Sequence, residues 1–152
     1  MKIKDVMTAS PTFLKSSATI QEAAQKMAEL DCGFLPVGEG DKLIGTVTDR
    51  DIATRAVAKG LAPTTKVADV MTKKVLYCTE TDTTEEIAQN MAENEVRRLI
   101  VLNDRSAKKL VGIVSLCDIV NANNTKADTA ATLIKGVSTP SNTNKSKKTK
   151  AA

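Results

Sequence analysis

Two short stretches of the chain, Gly45–Asp51 and Gly112–Asp118, share the pattern Gly-x-Val-[Ser/Thr]-x-x-Asp. A strand ending in Gly-x-Val and followed by a hydroxyl residue predicts a strand-to-helix junction, with Thr48 or Ser115 as the N-cap. Asp51 and Asp118 then fall in the first helical turn. A helix N-terminus presents unpaired amides and the positive end of a dipole, which suits a phosphate. The cap hydroxyl adds a donor. A carboxylate three residues later only accepts, so it can take two hydrogen bonds from the vicinal hydroxyls of a ribose, a task acidic residues perform in dinucleotide-binding folds. Plain capping explains one copy equally well, because any helix favours a hydroxyl at its cap and an acid in its first turn. Two copies in register, each behind the same glycine and strand residues, shift the balance toward a ligand site.

Arg97 and Arg98 stand just before a predicted strand. Adjacent strand residues point to opposite faces, so at most one of them faces a given cleft. A guanidinium fork matches phosphate oxygens, and the other arginine is expected to be solvated or salt-bridged.

The composition removes several other chemistries. The chain of 152 residues contains no His, which excludes Ser-His, Cys-His and His-metal mechanisms. A hydrolytic base would have to be a carboxylate such as Asp49 or Asp51, and their placement fits capping and ribose binding better. Only Phe13, Phe34 and Tyr77 are aromatic, too few for a base-stacking nucleic-acid surface. No apolar run approaches the roughly 20 residues of a membrane span. The opening Met1–Asp5 lacks the apolar stretch of a signal peptide, so a cytoplasmic protein is expected. Cys32, Cys78 and Cys117 form no C-x-x-C pair and predict reduced, buried thiols rather than a disulfide framework or zinc site.

The net charge of +4 divides unevenly. Residues 1–125 carry 16 Lys/Arg against 17 Asp/Glu, whereas residues 126–152 carry 6 Lys against one Asp. The basic character belongs to a low-complexity tail, expected to be a solvated end that is mostly disordered. Weak association of the tail with acidic surfaces, nucleic acid included, predicts binding that falls steeply with salt.

The elements that must position the two junctions are themselves duplicated. Asp5-Val6-Met7-Thr8 recurs as Asp69-Val70-Met71-Thr72, and at that offset of 64 residues 5–38 match residues 69–102 at 13 of 34 positions. Three extra residues around Asp104–Lys109 then move the offset to 67, and residues 43–52 match 110–119 at 5 of 10. Each copy carries a capping box, Thr19-x-x-Glu22 and Thr83-x-x-Glu86, ahead of apolar residues at helical spacing: Ile20, Ala23, Ala24, Met27 and Leu30, then Ile87, Ala88 and Met91. Phe34–Val37 and Leu99–Leu102 predict buried strands, with turns into second strands at Leu43–Thr48 and Leu110–Ser115. The helix after Thr48 runs on to Gly60, a C′ residue. Each copy thus reads strand, helix, strand, strand, helix. The expected division is repeat one at 1–62, repeat two at 63–124 and the tail at 125–152, with a weak helix over Ala127–Ile134 and disorder from Gly136.

Residues 1–122 resemble a tandem pair of CBS domains, a Bateman module. The resemblance rests on Asp-Val-Met-Thr opening each repeat, Gly33-Phe34-Leu35-Pro36-Val37, Arg97-Arg98-Leu99-Ile100-Val101, and the two junction motifs. It implies an α+β fold with β-α-β-β-α in each repeat, the two sheets packed about a pseudo-twofold axis. Two clefts between the repeats would hold adenosine nucleotides or S-adenosylmethionine. Carried over by residue, Asp118 would accept the ribose of one cleft, with Ser115 near the phosphates, Arg98 as their cation, and Thr12, Cys32 and Gly33 walling the adenine pocket. The other cleft would use Asp51, Thr48, Leu76, Val96 and Arg97. Two departures bear on it. Phe34 occupies the position matching Arg98, so that cleft lacks one arginine and Arg50 is the candidate substitute, or else an exposed helix-face cation. Ile100 replaces the proline usual in the family's strand.

The expected function is a non-catalytic sensor with no obligatory cofactor and an adenosyl compound as regulatory ligand. The alternative is an interaction or scaffold module with empty clefts. Nothing else in the chain can serve as an output domain, so the signal would pass to an unidentified effector protein or through a homodimer. The apolar faces Ile20–Met27 and Ile52–Val57 could form such a dimer, or simply pack the monomer's core.

Overall fold

The structure, a computed structural model, describes residues 1–40, 42–107, 109–122, 127, 128, 131, 134 and 135. The expected weak helix over 127–134 falls mostly outside these residues, and the tail from Gly136 entirely.

The first copy forms β2 (Leu14–Lys15), α1 (Ile20–Glu29), β3 (Phe34–Glu39), β4 (Lys42–Thr48) and α2 (Asp49–Asp51). α2 continues as a π-helical segment, Ile52–Ala56, and a 3-10 turn, Val57–Lys59. Gly60 ends it in the left-handed conformation at φ 69°, as its C′ position predicts. The second copy forms β5 (Tyr77–Thr79), α4 (Thr84–Glu93), β6 (Arg98–Leu102), β7 (Leu110–Ser115) and α5 (Leu116–Asn121). Ahead of the copies lie β1 (Thr8–Ala9) and a short helix, α3 (Val67–Val70). The order strand, helix, strand, strand, helix holds in both.

Local chemistry starts α1 and α4. The Thr19 amide donates to Glu22 Oε2 at 2.6 Å and the Glu22 amide to Thr19 Oγ1 at 3.1 Å. Thr83 and Glu86 repeat the exchange at 2.9 and 3.3 Å. In each box the hydrogen bond from the threonine amide holds the glutamate's pKa below the usual value of 4.5. Ile20, Ala23 and Met27 of α1 and Ile87, Ala88 and Met91 of α4 are buried. Ala24 and Leu30 share the helical spacing but remain exposed. Leu30 is the C-cap of α1, and Asp31 after it adopts left-handed backbone at φ 49°. The face Ile20–Met27 is therefore core, whereas Val57 is 67% exposed.

In the first sheet β2 pairs parallel with β3, and β3 antiparallel with β4. β5, β6 and β7 repeat this, with matching register shifts at Val37/Gly38 and Val101/Leu102. The opening segments then cross over. β1 pairs with β7, Thr8 opposite Ile113 and Ala9 opposite Gly112. Thr72, the counterpart of Thr8, bridges Thr46 of β4 through two hydrogen bonds of 2.8 and 2.9 Å. Ile3 is buried in the core of the second copy with Cys78, Ile87 and Met91. Val67 and Val70 are buried in that of the first, with Leu14 and Ile20. Each such side chain contributes about 1.5–3 kcal/mol on burial.

The crossing explains the junction glycines. A Cβ on Gly112 would lie 2.5 Å from Met7 Sδ and 3.0 Å from the Thr8 carbonyl oxygen. On Gly45 it would lie 2.7 Å from Met71 Sδ and 2.9 Å from the Thr72 carbonyl oxygen. A third cluster, Ile100, Leu102 and Leu110 with Phe34, Leu43, Val75 and Ile113, joins the two sheets.

Candidate functional site: two strand-to-helix junctions

Both junctions form the predicted caps. At the first, the Asp51 amide donates to Thr48 Oγ1 at 3.0 Å, and the Thr48 amide to Asp51 Oδ2 at 3.0 Å. At the second, the Asp118 amide donates to Ser115 Oγ at 3.2 Å. Asp118 Oδ2 accepts from both the amide and the hydroxyl of Ser115, each at 2.7 Å. Both carboxylates are half-buried, Asp51 with its side chain 13% exposed.

The two acids differ in their second oxygen. Asp51 Oδ1 pairs with Arg55 Nη2 at 3.2 Å. Asp118 Oδ1 has no partner among the described residues. A carboxylate tethered through one oxygen and open at the other is oriented to accept a donor, so the second junction is the better prepared to meet a ligand hydroxyl.

The expectation of unpaired amides at the helix start needs correction. At the first junction the Asp49 amide donates to the Gly33 carbonyl at 3.1 Å, the Arg50 amide to Asp49 Oδ1 at 2.8 Å, and the Asp51 amide to Thr48. At the second, the Leu116 amide donates to the Arg97 carbonyl at 2.8 Å. The carbonyls of Gly33 and Arg97 thus take up the first amide of each helix. At the first junction a phosphate contact would therefore fall to side chains.

Arg98 begins β6, lies directly across from Ser115 and is exposed, with no ion pair among the described residues. Phe34, its counterpart, lies across from Thr48 and packs between the sheets. Arg97 and Arg50 are exposed. The structure therefore gathers Arg98, Ser115 and Asp118 at one place, and Thr48, Arg50 and Asp51 at another.

The pocket-wall candidates sit in equivalent pairs. Cys32 is half-buried, its Sγ 3.7 Å from the Phe34 carbonyl oxygen. Gly33 abuts Asp49, whose carboxylate would lie 2.6 Å from an added Cβ, so these two residues adjoin the first junction of their own repeat. Val96 is half-buried against the second core. Thr12 and Leu76 are exposed residues preceding β2 and β5.

Sequence reasoning passed over Arg55, although its i,i+4 spacing from Asp51 was a readable signal. It also passed over a cleft of about 650 Å³ lined by Lys42, Leu43, Val75, Tyr77, Leu102 and Lys109 among others. None of the candidate ligand-binding residues lines this cleft. Among the described residues no group of three His, Cys, Asp or Glu is placed to hold a metal ion.

Two β-α-β-β-α units that exchange their opening segments and pack sheet to sheet define a tandem repeat with paired inter-repeat junctions. The family model for the CBS domain matches residues 3–58 and again 67–125, and the chain belongs to the CBS-domain family. It is similar to hypoxic response protein 1 of Mycobacterium tuberculosis, with 37% identity over 118 residues, 76% of this chain and 80% of that protein. The crystal structure of Hypoxic Response Protein I with two coordinated zinc ions superposes with TM-score 0.71 at 35% identity, covering 80% of this chain and 98% of that one. The CBS domain pair of protein MJ0100, in complex with 5′-methylthioadenosine and S-adenosyl-L-methionine, superposes with TM-score 0.70 at 28% identity, covering 78% and 92%. CBSX2 in complex with AMP gives 0.67 at 26% identity, covering 80% and 94%. No helix among the described residues is long and apolar enough to cross a membrane.

Proposed function

We propose that this chain is a regulatory module without catalytic activity of its own, binding an adenosyl ligand such as AMP, ADP, ATP or S-adenosylmethionine at the junctions between its repeats. The observation that carries this reading is the second junction. There a half-buried Asp118 is tethered by Ser115 through one oxygen, open at the other, and Arg98 stands across the sheet. Adenosyl compounds in two related CBS pairs support the ligand class.

In this reading Asp118 accepts the ribose diol and Arg98 meets the phosphate. Thr12, Cys32 and Gly33 remain candidates for the adenine wall. The Asp51 site, with Thr48, Arg50, Leu76, Val96 and Arg97, is the weaker of the two. Ligand bridging the repeats favours one arrangement of the module over another, and an effector protein or a second copy of the chain reads the difference. The exposed Val57 is available to a homodimer interface.

Capping boxes alone account for the hydroxyl and the acid at both junctions, which favours the second reading, a scaffold whose clefts hold no ligand. Calorimetric titration with AMP, ADP, ATP and S-adenosylmethionine separates the two. Binding by one or more of them, with a melting temperature that rises with ligand concentration, supports the sensor. Silence toward all four leaves the scaffold. Incubation with ATP is expected to release neither phosphate nor pyrophosphate.

A further inference from the structure

Asp51 and Asp118 occupy equivalent places, yet four residues on the first copy has Arg55 and the second has Ala122. Arg55 Nη2 lies 3.2 Å from Asp51 Oδ1. Its Nη1 donates to the Val70 carbonyl at 2.8 Å and to Thr72 Oγ1 at 3.0 Å. One guanidinium therefore ties the carboxylate of the first junction to the end of α3 and to the crossing segment that bridges β4. Arg55 stands in the π-helical stretch, a form that recurs at functional positions. α5 spans Leu116–Asn121, with Ala122 as its C-cap.

We propose that Arg55 is a specificity-determining latch on the first cleft: by holding Asp51 Oδ1 it competes with the ribose diol of an adenosyl ligand. The inference rests on the adenosyl reading above. Asp51 Oδ2 already accepts from the Thr48 amide, so Oδ1 is the oxygen left for a diol, and Arg55 occupies it. With the Arg55 side chain 43% exposed, its pairing is weak enough to be exchanged for another partner. A ligand that takes Oδ1 turns Arg55 away, and the same movement releases Val70 and Thr72. Occupancy of the first cleft thereby reaches the segment that clasps the two repeats together. The second cleft, with Ala122, has no such latch and accepts a diol directly.

The test isolates the first cleft by calorimetry in an Asp118→Asn background, with AMP as probe and 2′,3′-dideoxy-AMP as its diol-free control. Adding Arg55→Met, which keeps most of the side chain's length but cannot pair with Asp51, is expected to tighten AMP binding about fivefold, within the range of a partly exposed ion pair. Affinity for the dideoxy compound should stay the same. AMP binding that weakens or does not change overturns the latch, and a weakening assigns Arg55 to the ligand's phosphate instead. Equal tightening toward both compounds overturns it as well, since the gain would not involve the diol. If the methionine variant fails to fold, Arg55→Gln serves with the same expectations. Wild-type protein run alongside separates the two levels: binding there with no gain from the variant defeats the latch alone. No binding by wild type defeats the adenosyl reading, and the latch with it.

Discussion

The two junctions come from one motif, fold alike and end in different chemical states. At the first, Asp51 is engaged through both oxygens, and Phe34 withdraws into the contact between sheets. At the second, Asp118 keeps one oxygen open, and Arg98 stays at the surface across from Ser115. The frame up to the cap is the same in both, including the glycine under the crossing methionine and the cap hydroxyl, and the helices diverge beyond it. Duplication preserved the cap, and divergence acted on the side chains around it, Arg55 and Phe34 on one side and Arg98 and Ala122 on the other.

The sharpest test of the common frame is steric. Gly112→Ala and Gly45→Ala each force a Cβ against a methionine sulfur and a backbone carbonyl. Each is expected to lower stability by about 2–3 kcal/mol in urea melts, at the high end of overpacking changes. A loss at only one position would break the symmetry of the frame.

The chemical difference has its own measurement. Asp118→Asn should weaken AMP binding by about tenfold or more, as loss of a charge-assisted hydrogen bond requires, while Asp51→Asn changes it less than about threefold. Calorimetry giving equal losses would erase the ranking of the clefts.

Smaller effects come from the caps. Ser115→Ala should cost about 1 kcal/mol of stability, and Thr48→Ala somewhat less, because Arg55 continues to hold Asp51 in place. Thermal melts of the two variants decide it.

A still smaller change tests the approach to each cleft. Asp31 and Glu95, at equivalent positions after α1 and α4, both adopt left-handed backbone, at φ 49° and 55°. Glu95→Gly is expected to raise stability by about 0.5–1 kcal/mol, and Asp31→Gly by less, because aspartate tolerates that conformation better. An unchanged melting temperature for Glu95→Gly would show that the backbone there relaxes at no cost.

Acid should then treat the two halves alike. Glu22 and Glu86 have folded pKa values below their unfolded ones, so the stability they lend is present above about pH 4.5 and fades as pH falls through the lower folded values. Glu22→Gln and Glu86→Gln should each flatten this acid limb by a similar amount in pH-dependent melts. At the alkaline end, burial and the nearby Asp82 push the Cys78 thiol up to about 12, so it should resist thiol reagents at pH 8 while the exposed Cys117 reacts.

What could be read from the chain was what neighbours in sequence decide. Thr19 and Glu22, three residues apart, form their box whatever surrounds them, and so do Ser115 and Asp118. Gly60 ends its helix because few other residues accept that backbone angle. The crossing of the opening segments was not readable, because Met7 and Gly112 meet across more than a hundred positions and no local preference encodes the pairing. For the same reason Gly45 looked like part of a ligand motif when its first task is to let Met71 pass. The consumption of the helix-start amides depended on where the carbonyls of Gly33 and Arg97 end up, which strand register sets. Phe34 was read as a missing arginine, whereas it packs in the apolar cluster that joins the two sheets.

The reciprocal clasp has a consequence for how such a molecule can be divided. Neither half can be excised whole, because the residues that finish one sheet are spelled at the head of the other unit. A gene encoding a single unit would have to yield a twofold assembly, each subunit lending its leader to its mate. Fusing two such units in one polypeptide frees the paired acids to differ, as Asp51 with its guanidinium partner and Asp118 with one open oxygen already do.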